Sequence, residues 1–146
     1  MPFDGSLEDR ALIRERNSEY ADSMFQQDLD AWLGNFTEDC VWRGVGLEYR
    51  GLEELAASWP NLWAPLVKMA YFTEVAAIDV QGDRASARCY SRQIMFRKDG
   101  SVGKVVGLYK DQLVRRGGTW LYQLREFEFI GVETDGRSGT LTPAKG

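Results

Sequence analysis

The side chains that could support catalysis in this chain of 146 residues are carboxylates, tyrosines, arginines, lysines and cysteines, because the sequence contains no histidine. Histidine is the commonest general base and a frequent metal ligand. Its absence excludes Ser-His-Asp and Cys-His nucleophiles and histidine-based metal sites, so no metal centre is expected. The two cysteines, Cys40 and Cys89, are too few for a disulfide framework and are predicted to be small buried residues.

The charge and composition of the chain limit the classes of partner. The net charge is −4 and the pI about 4.9, which argues against nucleic acid or an anionic membrane as the main partner. Apolar residues make up 44% and aromatic residues 12%, so the chain is not mostly disordered. The apolar runs are too short to cross a bilayer, and no secretory signal is evident at the start. These features predict a cytoplasmic globular protein.

Helices are predicted in the first third of the chain. Ser6 begins a capping-box pattern ahead of the helix-forming residues 11–27. Asp28 then has the position of the N-cap of a short second helix. A third helix is predicted over residues 51–58, because Pro60 should end it. These helices would place Tyr20 and other apolar residues of the first helix on one buried face.

The remainder of the chain is predicted to be mostly β-structure. Two short strand candidates, residues 40–43 and 47–50, are followed by four long ones joined by Gly-containing hairpin turns. Helices followed by an antiparallel meander predict an α+β fold in which the helices cover one face of the sheet. We expect one domain over residues 1–132 and a flexible tail over residues 133–146. The four long candidates are residues 69–80, 84–96, 102–115 and 119–132.

Several short motifs follow one another in a defined order. They are Tyr20-Ala-x7-Leu29-Asp-Ala-Trp-Leu-x2-Phe36-Thr-Glu-Asp39-x-Val-Trp42, Tyr49-Arg-Gly51, Val80-x-Gly-Asp-Arg-Ala85 and Tyr109-x-Asp111-x3-Arg115-Arg-x-Gly-x-Trp120. Together they resemble the SnoaL-like branch of the nuclear transport factor 2-like superfamily, over residues 8–132. The resemblance implies a cone-shaped, curved antiparallel sheet wrapped around the N-terminal helices, with an internal apolar pocket. It also implies proton transfer on small hydrophobic molecules without a cofactor.

Asp28 is the candidate general base of the enzyme interpretation. Asp28 matches the aspartate of the aspartate–histidine dyad in the dehydratase and dehydrochlorinase of this branch. The histidine position falls at Ala70, so the chain departs from the family pattern, and Tyr71 beside it is a candidate acid. Each residue also has a structural interpretation, Asp28 as a helix cap and Tyr71 as a core residue.

The resemblance also assigns groups that would stabilise negative charge. Tyr20 and Asp111 match the tyrosine and the protonated aspartic acid of the ketosteroid isomerase oxyanion hole, whose base position falls at Gly44. Arg125 matches a pocket arginine of the dehydrochlorinase. Tyr20 and Asp111 could instead be structural, and Arg125 could be an exposed strand residue. Strand alternation cannot decide the direction of Arg125, because one β-bulge reverses the facing.

These residues favour a cofactor-independent lyase or isomerase that acts on a small hydrophobic ring compound. The predicted catalytic residues are Asp28, Tyr20, Asp111 and Arg125. Two alternatives are a non-catalytic small-molecule-binding protein and an accessory subunit similar to the small subunits of ring-hydroxylating dioxygenases. A homodimer or homotrimer is expected, with Trp120, Tyr122 and Leu124 as candidates for the subunit contact. The predicted pocket residues are Met24, Trp42, Trp59, Trp63, Tyr71 and Phe127.

Overall fold

A computed structural model describes residues 2–133 and 141–143 of the chain. In this part it contains three helices and one curved sheet of eight strands. The helices are α1 (Leu7–Gln26), α2 (Leu29–Leu33) and α3 (Gly51–Trp63). The strands are β1 (Phe3–Asp4), β2 (Phe36–Gly44), β3 (Leu47–Arg50), β4 (Leu66–Gln81), β5 (Arg84–Arg97), β6 (Val102–Arg116), β7 (Thr119–Glu133) and β8 (Leu141–Pro143).

The N-terminal helices begin at the predicted caps. The Ser6 hydroxyl accepts a hydrogen bond from the Asp9 N–H at the start of α1, and the Asp28 carboxylate accepts one from the Ala31 N–H at the start of α2. These side chains satisfy backbone donors that have no partner within the helix. The predicted α+β fold class is confirmed.

Helix α3 continues past Pro60, where the sequence predicted its end. Proline fixes a φ angle that suits a helix, but it removes one backbone donor and crowds the preceding turn, so other contacts must offset this cost. The Ala64 N–H still donates to the Pro60 carbonyl at 2.9 Å, which closes the last turn. Leu62 and Trp63 lie beyond the proline and pack against the core. This packing explains why the helix extends through Trp63.

The sheet has the strand order β1-β4-β5-β6-β7-β2-β3, and β8 pairs with β7. The four long strands form the predicted antiparallel meander. Two pairs are parallel, however: β1 with β4, and β2 with β7. The sheet is therefore mixed at its flanks. Register shifts within the β4–β5 and β6–β7 pairs mark bulges, which help the sheet to curve around α1.

The core lies between α1 and the concave face of the sheet. Cys40 and Cys89 are buried free thiols, as predicted, and burial raises the pKa of each to about 11. Trp120 and Tyr122, predicted at a subunit contact, are each only 1% exposed because they belong to the core of the single chain. Among the described residues, no helix is both long and apolar enough to cross a membrane.

The predicted C-terminal tail is described only in part. Glu133 is the last residue of β7, and its carboxylate forms an ion pair with Arg92 at 2.8 Å. Residues 141–143 form β8, which pairs with β7. The other residues of the predicted tail lie outside the described residues.

Candidate functional site

A cavity of about 320 Å³ lies between the helices and the concave face of the sheet. Its walls come from α1, α2, α3 and the β2–β3 hairpin, and from the inner faces of β4 to β7. A volume of this size suits a small organic ligand. The lining is largely aromatic and apolar and includes Tyr20, Trp32, Trp42, Met69, Met95 and Phe127.

Two tyrosines form the main polar group of the cavity. The Tyr71 hydroxyl donates a hydrogen bond to the Tyr109 hydroxyl at 2.5 Å, and the Gln93 side-chain amide donates to the same oxygen at 3.5 Å. Burial raises the pKa of both phenols well above their usual range. At neutral pH they therefore remain protonated, so they can donate hydrogen bonds but cannot act as bases.

A buried cation lies directly behind the tyrosines. The Arg125 guanidinium is 0% exposed and lies 4.1 Å from the ring centroid of Tyr20, 3.9 Å from that of Tyr109 and 4.3 Å from that of Tyr122. The negative faces of aromatic rings attract a cation in this position. Neither Arg125 nor its carboxylate partner, Asp111, lines the cavity.

The Arg125–Asp111 pair is held by a network of buried hydrogen bonds. Arg125 donates to the two Asp111 carboxylate oxygens at 3.1 and 3.4 Å and to Asn17 Oδ1 at 3.2 Å. The Asn17 amide in turn donates to the Thr73 hydroxyl at 2.8 Å. Desolvation raises the pKa of Asp111 to about 6, although the neighbouring guanidinium opposes the shift. The pair is thus ionised at neutral pH.

No general base faces the cavity. Of the described side chains that line it, none is an aspartate, glutamate, lysine, arginine or cysteine. The polar ones are tyrosines, Ser58, Asn61 and Gln93. The arrangement can bind an apolar molecule and donate hydrogen bonds to an oxygen on it, but it offers no side chain that accepts a proton at neutral pH.

The predicted base, Asp28, lies outside the cavity. Its side chain is exposed and caps α2 through a 3.0 Å hydrogen bond from the Ala31 N–H. An exposed carboxylate outside the cavity does not reach a ligand inside it. The geometry therefore supports the structural interpretation of Asp28 and gives it no part in the chemistry of the cavity.

The structure brings most of the other predicted residues to one region. Tyr20, Met24, Trp42, Tyr71 and Phe127 line the cavity. The predicted pocket residues Trp59 and Trp63 do not line it. They lie on α3 and pack behind Trp32 with tilted rings, the ring centroids being 5.1 Å apart for Trp32–Trp59 and 5.6 Å apart for Trp59–Trp63.

Sequence reasoning missed Tyr109, Gln93 and Asn17 as site residues. The Tyr-x-Asp motif could have pointed to Tyr109. Residues two apart on a strand face the same side of the sheet, and Asp111 was already a candidate. The position that aligns with the family histidine, Ala70, does not line the cavity, whereas its neighbours Met69 and Tyr71 do.

The fold and the cavity together define the class of protein: a curved sheet wrapped around N-terminal helices, with an internal apolar cavity. The chain belongs to the SnoaL-like domain family, whose model matches residues 5–126, within the nuclear transport factor 2-like superfamily. Among curated protein sequences, none matches this chain significantly.

Solved structures show the same fold along nearly the whole chain. One, provisionally assigned as an aromatic ring hydroxylase of Novosphingobium aromaticivorans, is 27% identical, covers 97% of this chain and 96% of its own, and has a TM-score of 0.82. A provisionally assigned scytalone dehydratase from the same organism is 19% identical over 94% of this chain and 93% of its own, with a TM-score of 0.81. A hexachlorocyclohexane dehydrochlorinase is 16% identical, covers 96% of this chain and 91% of its own, and has a TM-score of 0.78.

Proposed function

We propose that the cavity binds a small, planar, largely apolar ring compound that carries an oxygen acceptor, and that Tyr109 donates a hydrogen bond to that oxygen. The observation that carries the proposal is the short contact between the Tyr71 and Tyr109 hydroxyls in an otherwise apolar cavity. The Tyr109 oxygen accepts from Tyr71 and Gln93, so its own hydrogen can turn toward a ligand, with the Tyr20 hydroxyl as the competing acceptor.

A fluorescence titration with three two-ring probes tests this proposal. Naphthalene has no oxygen, 2-methoxynaphthalene has only an acceptor oxygen, and 2-naphthol has a hydroxyl. Wild-type protein is expected to bind 2-methoxynaphthalene and 2-naphthol about tenfold more tightly than naphthalene, which corresponds to one hydrogen bond in a desolvated site. Tyr109→Phe should remove this preference and leave naphthalene binding unchanged.

Two variants serve as controls for the titration. Asp28→Asn keeps a helix-capping side chain outside the cavity, so the affinities should not change. Tyr71→Phe removes the donor to Tyr109 but leaves the Tyr109 hydroxyl in place, so part of the preference for an oxygen should remain. Equal affinities of wild-type protein for naphthalene and 2-methoxynaphthalene would contradict the hydrogen-bond role of Tyr109.

A lyase or isomerase activity is the second candidate. Membership of a family with dehydratase-like, dehydrochlorinase and isomerase-like structural neighbours favours it. Donors that bind a carbonyl oxygen also stabilise the negative charge that develops on it during proton transfer. Because no base lines the cavity, the proton acceptor in such a reaction is solvent or a group on the substrate.

Hydrogen–deuterium exchange of the enolisable ketone 2-tetralone separates the two candidates. If the protein is an isomerase-type enzyme, wild-type protein accelerates exchange next to the carbonyl, as followed by NMR in deuterium oxide, and Tyr109→Phe does not. If 2-tetralone binds without accelerated exchange, binding alone is the function of the cavity for this class of compound.

A further inference from the structure

The turn at the tip of the β2–β3 hairpin has an unusual residue. Gly44 pairs with Leu47, so the turn consists of Val45 and Gly46 alone. Their φ angles are +53° and +74°. Two consecutive positive φ angles define the tight hairpin turn that fits the twist of antiparallel strands, and asparagine, aspartate or glycine normally occupies both positions.

Valine is a poor choice for the first position of this turn. Its branched side chain clashes with the backbone at positive φ, so Val45 is held in a strained conformation. Packing within the chain does not compensate for the strain, because Val45 is 56% exposed. Leu47, on the other side of the turn, is 50% exposed. Strained backbone conformations of this kind cluster at functional sites.

Both exposed side chains border the cavity that contains Tyr71 and Tyr109. The hairpin tip therefore contributes two exposed apolar side chains to the lining of the cavity, whereas the hydrogen-bonding tyrosines are buried. A bound ring compound would cover them, which removes apolar surface from water.

We infer that Val45 is a ligand-contacting residue at the mouth of the cavity. Its side chain contacts the outer ring of the bound compound, and this contact is the reason why a strained valine stands where asparagine would fold better. The inference rests on the proposed function, because it takes the same cavity as the ligand site.

Substitution of Val45 tests this inference, because it should raise the stability of the free protein and lower its affinity for the probes. Val45→Asn should raise the urea midpoint of the free protein, because asparagine accepts positive φ. The same variant should weaken naphthalene and 2-naphthol binding about tenfold, because the apolar contact is lost. Val45→Ile retains both the branching and the apolar surface, so it should change neither quantity substantially.

Gly117→Asn is the matched control. Gly117 also has a positive φ of +57°, in the β6–β7 turn, and its added side chain would meet no atom within 4 Å. Asparagine there should leave probe affinity unchanged. A lower urea midpoint for Val45→Asn overturns the strain argument, and unchanged probe affinity overturns the ligand contact.

The outcomes separate this inference from the proposed function. If wild-type protein binds neither naphthalene nor 2-naphthol, the proposed ligand site fails and the role of Val45 fails with it. If wild-type protein binds both and Val45→Asn binds them equally well, only the role of Val45 fails. A change in sedimentation without a change in affinity would reassign the hairpin tip to a contact between copies of the chain.

Discussion

Arg125 and Asp111 form a fully buried ion pair behind the tyrosines of the cavity. The pKa of Arg125 is raised well above its usual range by Asp111 and the tyrosines, against desolvation, so the guanidinium stays charged. Hydrogen bonds to Asp111 and Asn17 and the faces of three tyrosine rings compensate for the buried charge. The pair thus holds Tyr20 and Tyr109 in place without contacting the cavity itself.

The stability of the protein should depend on pH through Asp111. Burial raises its pKa from 3.8 to about 6, so the folded state binds a proton more tightly than the unfolded state. This tighter proton binding increases the free energy of unfolding. The increase is fully present below about pH 4 and is lost as the pH rises through 6. The loss is about 3 kcal/mol, at 1.36 kcal/mol for each pKa unit.

Carbon-13 NMR titration of the aspartate carboxyls measures this pKa directly. Urea unfolding at pH 4 to 7 measures the loss of stability, and Asp111→Asn, which resembles the neutral acid, should not show the same decline. Titration of the Asp111 carboxyl below pH 4 would contradict the prediction.

At the scale of elements, close packing between β6 and β7 shapes the cavity wall. Gly107 pairs with Phe129, and the Phe127 ring occupies the space above Gly107. A Cβ atom added at Gly107 would overlap the Phe127 ring. Glycine at this position therefore lets the edge of the Phe127 ring approach the strand backbone, and the ring forms part of the cavity wall.

Gly107→Ala is expected to displace the Phe127 ring and reshape the cavity. Overpacking of this kind lowers the free energy of unfolding by about 1 to 3 kcal/mol. We expect naphthalene binding to weaken by about tenfold, measured by fluorescence titration, since an aromatic wall moves. In the control Gly34→Ala, the added Cβ meets its nearest atoms at an ordinary 3.4 Å, so neither quantity should change much. Unaltered binding by Gly107→Ala would show that Phe127 does not shape the site.

At the scale of the whole molecule, the outer face of the sheet offers a contact for a second copy. Tyr90 pairs directly with Leu108, and each lies between two buried, inward-facing residues of its strand. Tyr90 is 41% exposed. Arg92 and Glu128 lie beside this pair and form ion pairs within the chain, with Glu133 and Lys110, so no unpaired charge of theirs opposes a contact between copies. This face replaces Trp120 and Tyr122 as the candidate subunit contact.

We expect the protein to form a homo-oligomer that Leu108→Glu or Tyr90→Ser weakens. Size-exclusion chromatography with light scattering measures the mass of each variant. Leu7→Ser is the matched control, because Leu7 is also apolar, is 78% exposed and lies on α1. The free energy of unfolding of the monomer should change by no more than about 0.5 kcal/mol for Tyr90→Ser. A monomeric wild-type protein would contradict the prediction.

The sequence by itself determined most of the helices and strands, and the family. Caps such as Ser6 and Asp28 act within one turn of their own helix, and glycine-containing turns define hairpins locally, so both can be recognised without tertiary information. The absence of histidine is a property of composition alone, and it excludes the family dyad however the chain folds. Tyr20, Tyr71 and Phe127 were candidates from the sequence, and all three line the cavity.

Only the tertiary structure decided which side chains face the cavity. Arg116 pairs with Thr119 next to the β6–β7 turn, and a regular ladder from there would pair Asp111 with Leu124. A bulge between the Gln112 and Leu113 pairs shifts the register by one residue. Asp111 therefore pairs with Arg125 instead. One extra residue reverses the facing of every later side chain on the strand, and it leaves no reliable local signal in the sequence. The burial of Arg125, the exposure of Asp28 and the meeting of Tyr71 with Tyr109 all depend on contacts between residues far apart in the chain, so only the folded structure could show them.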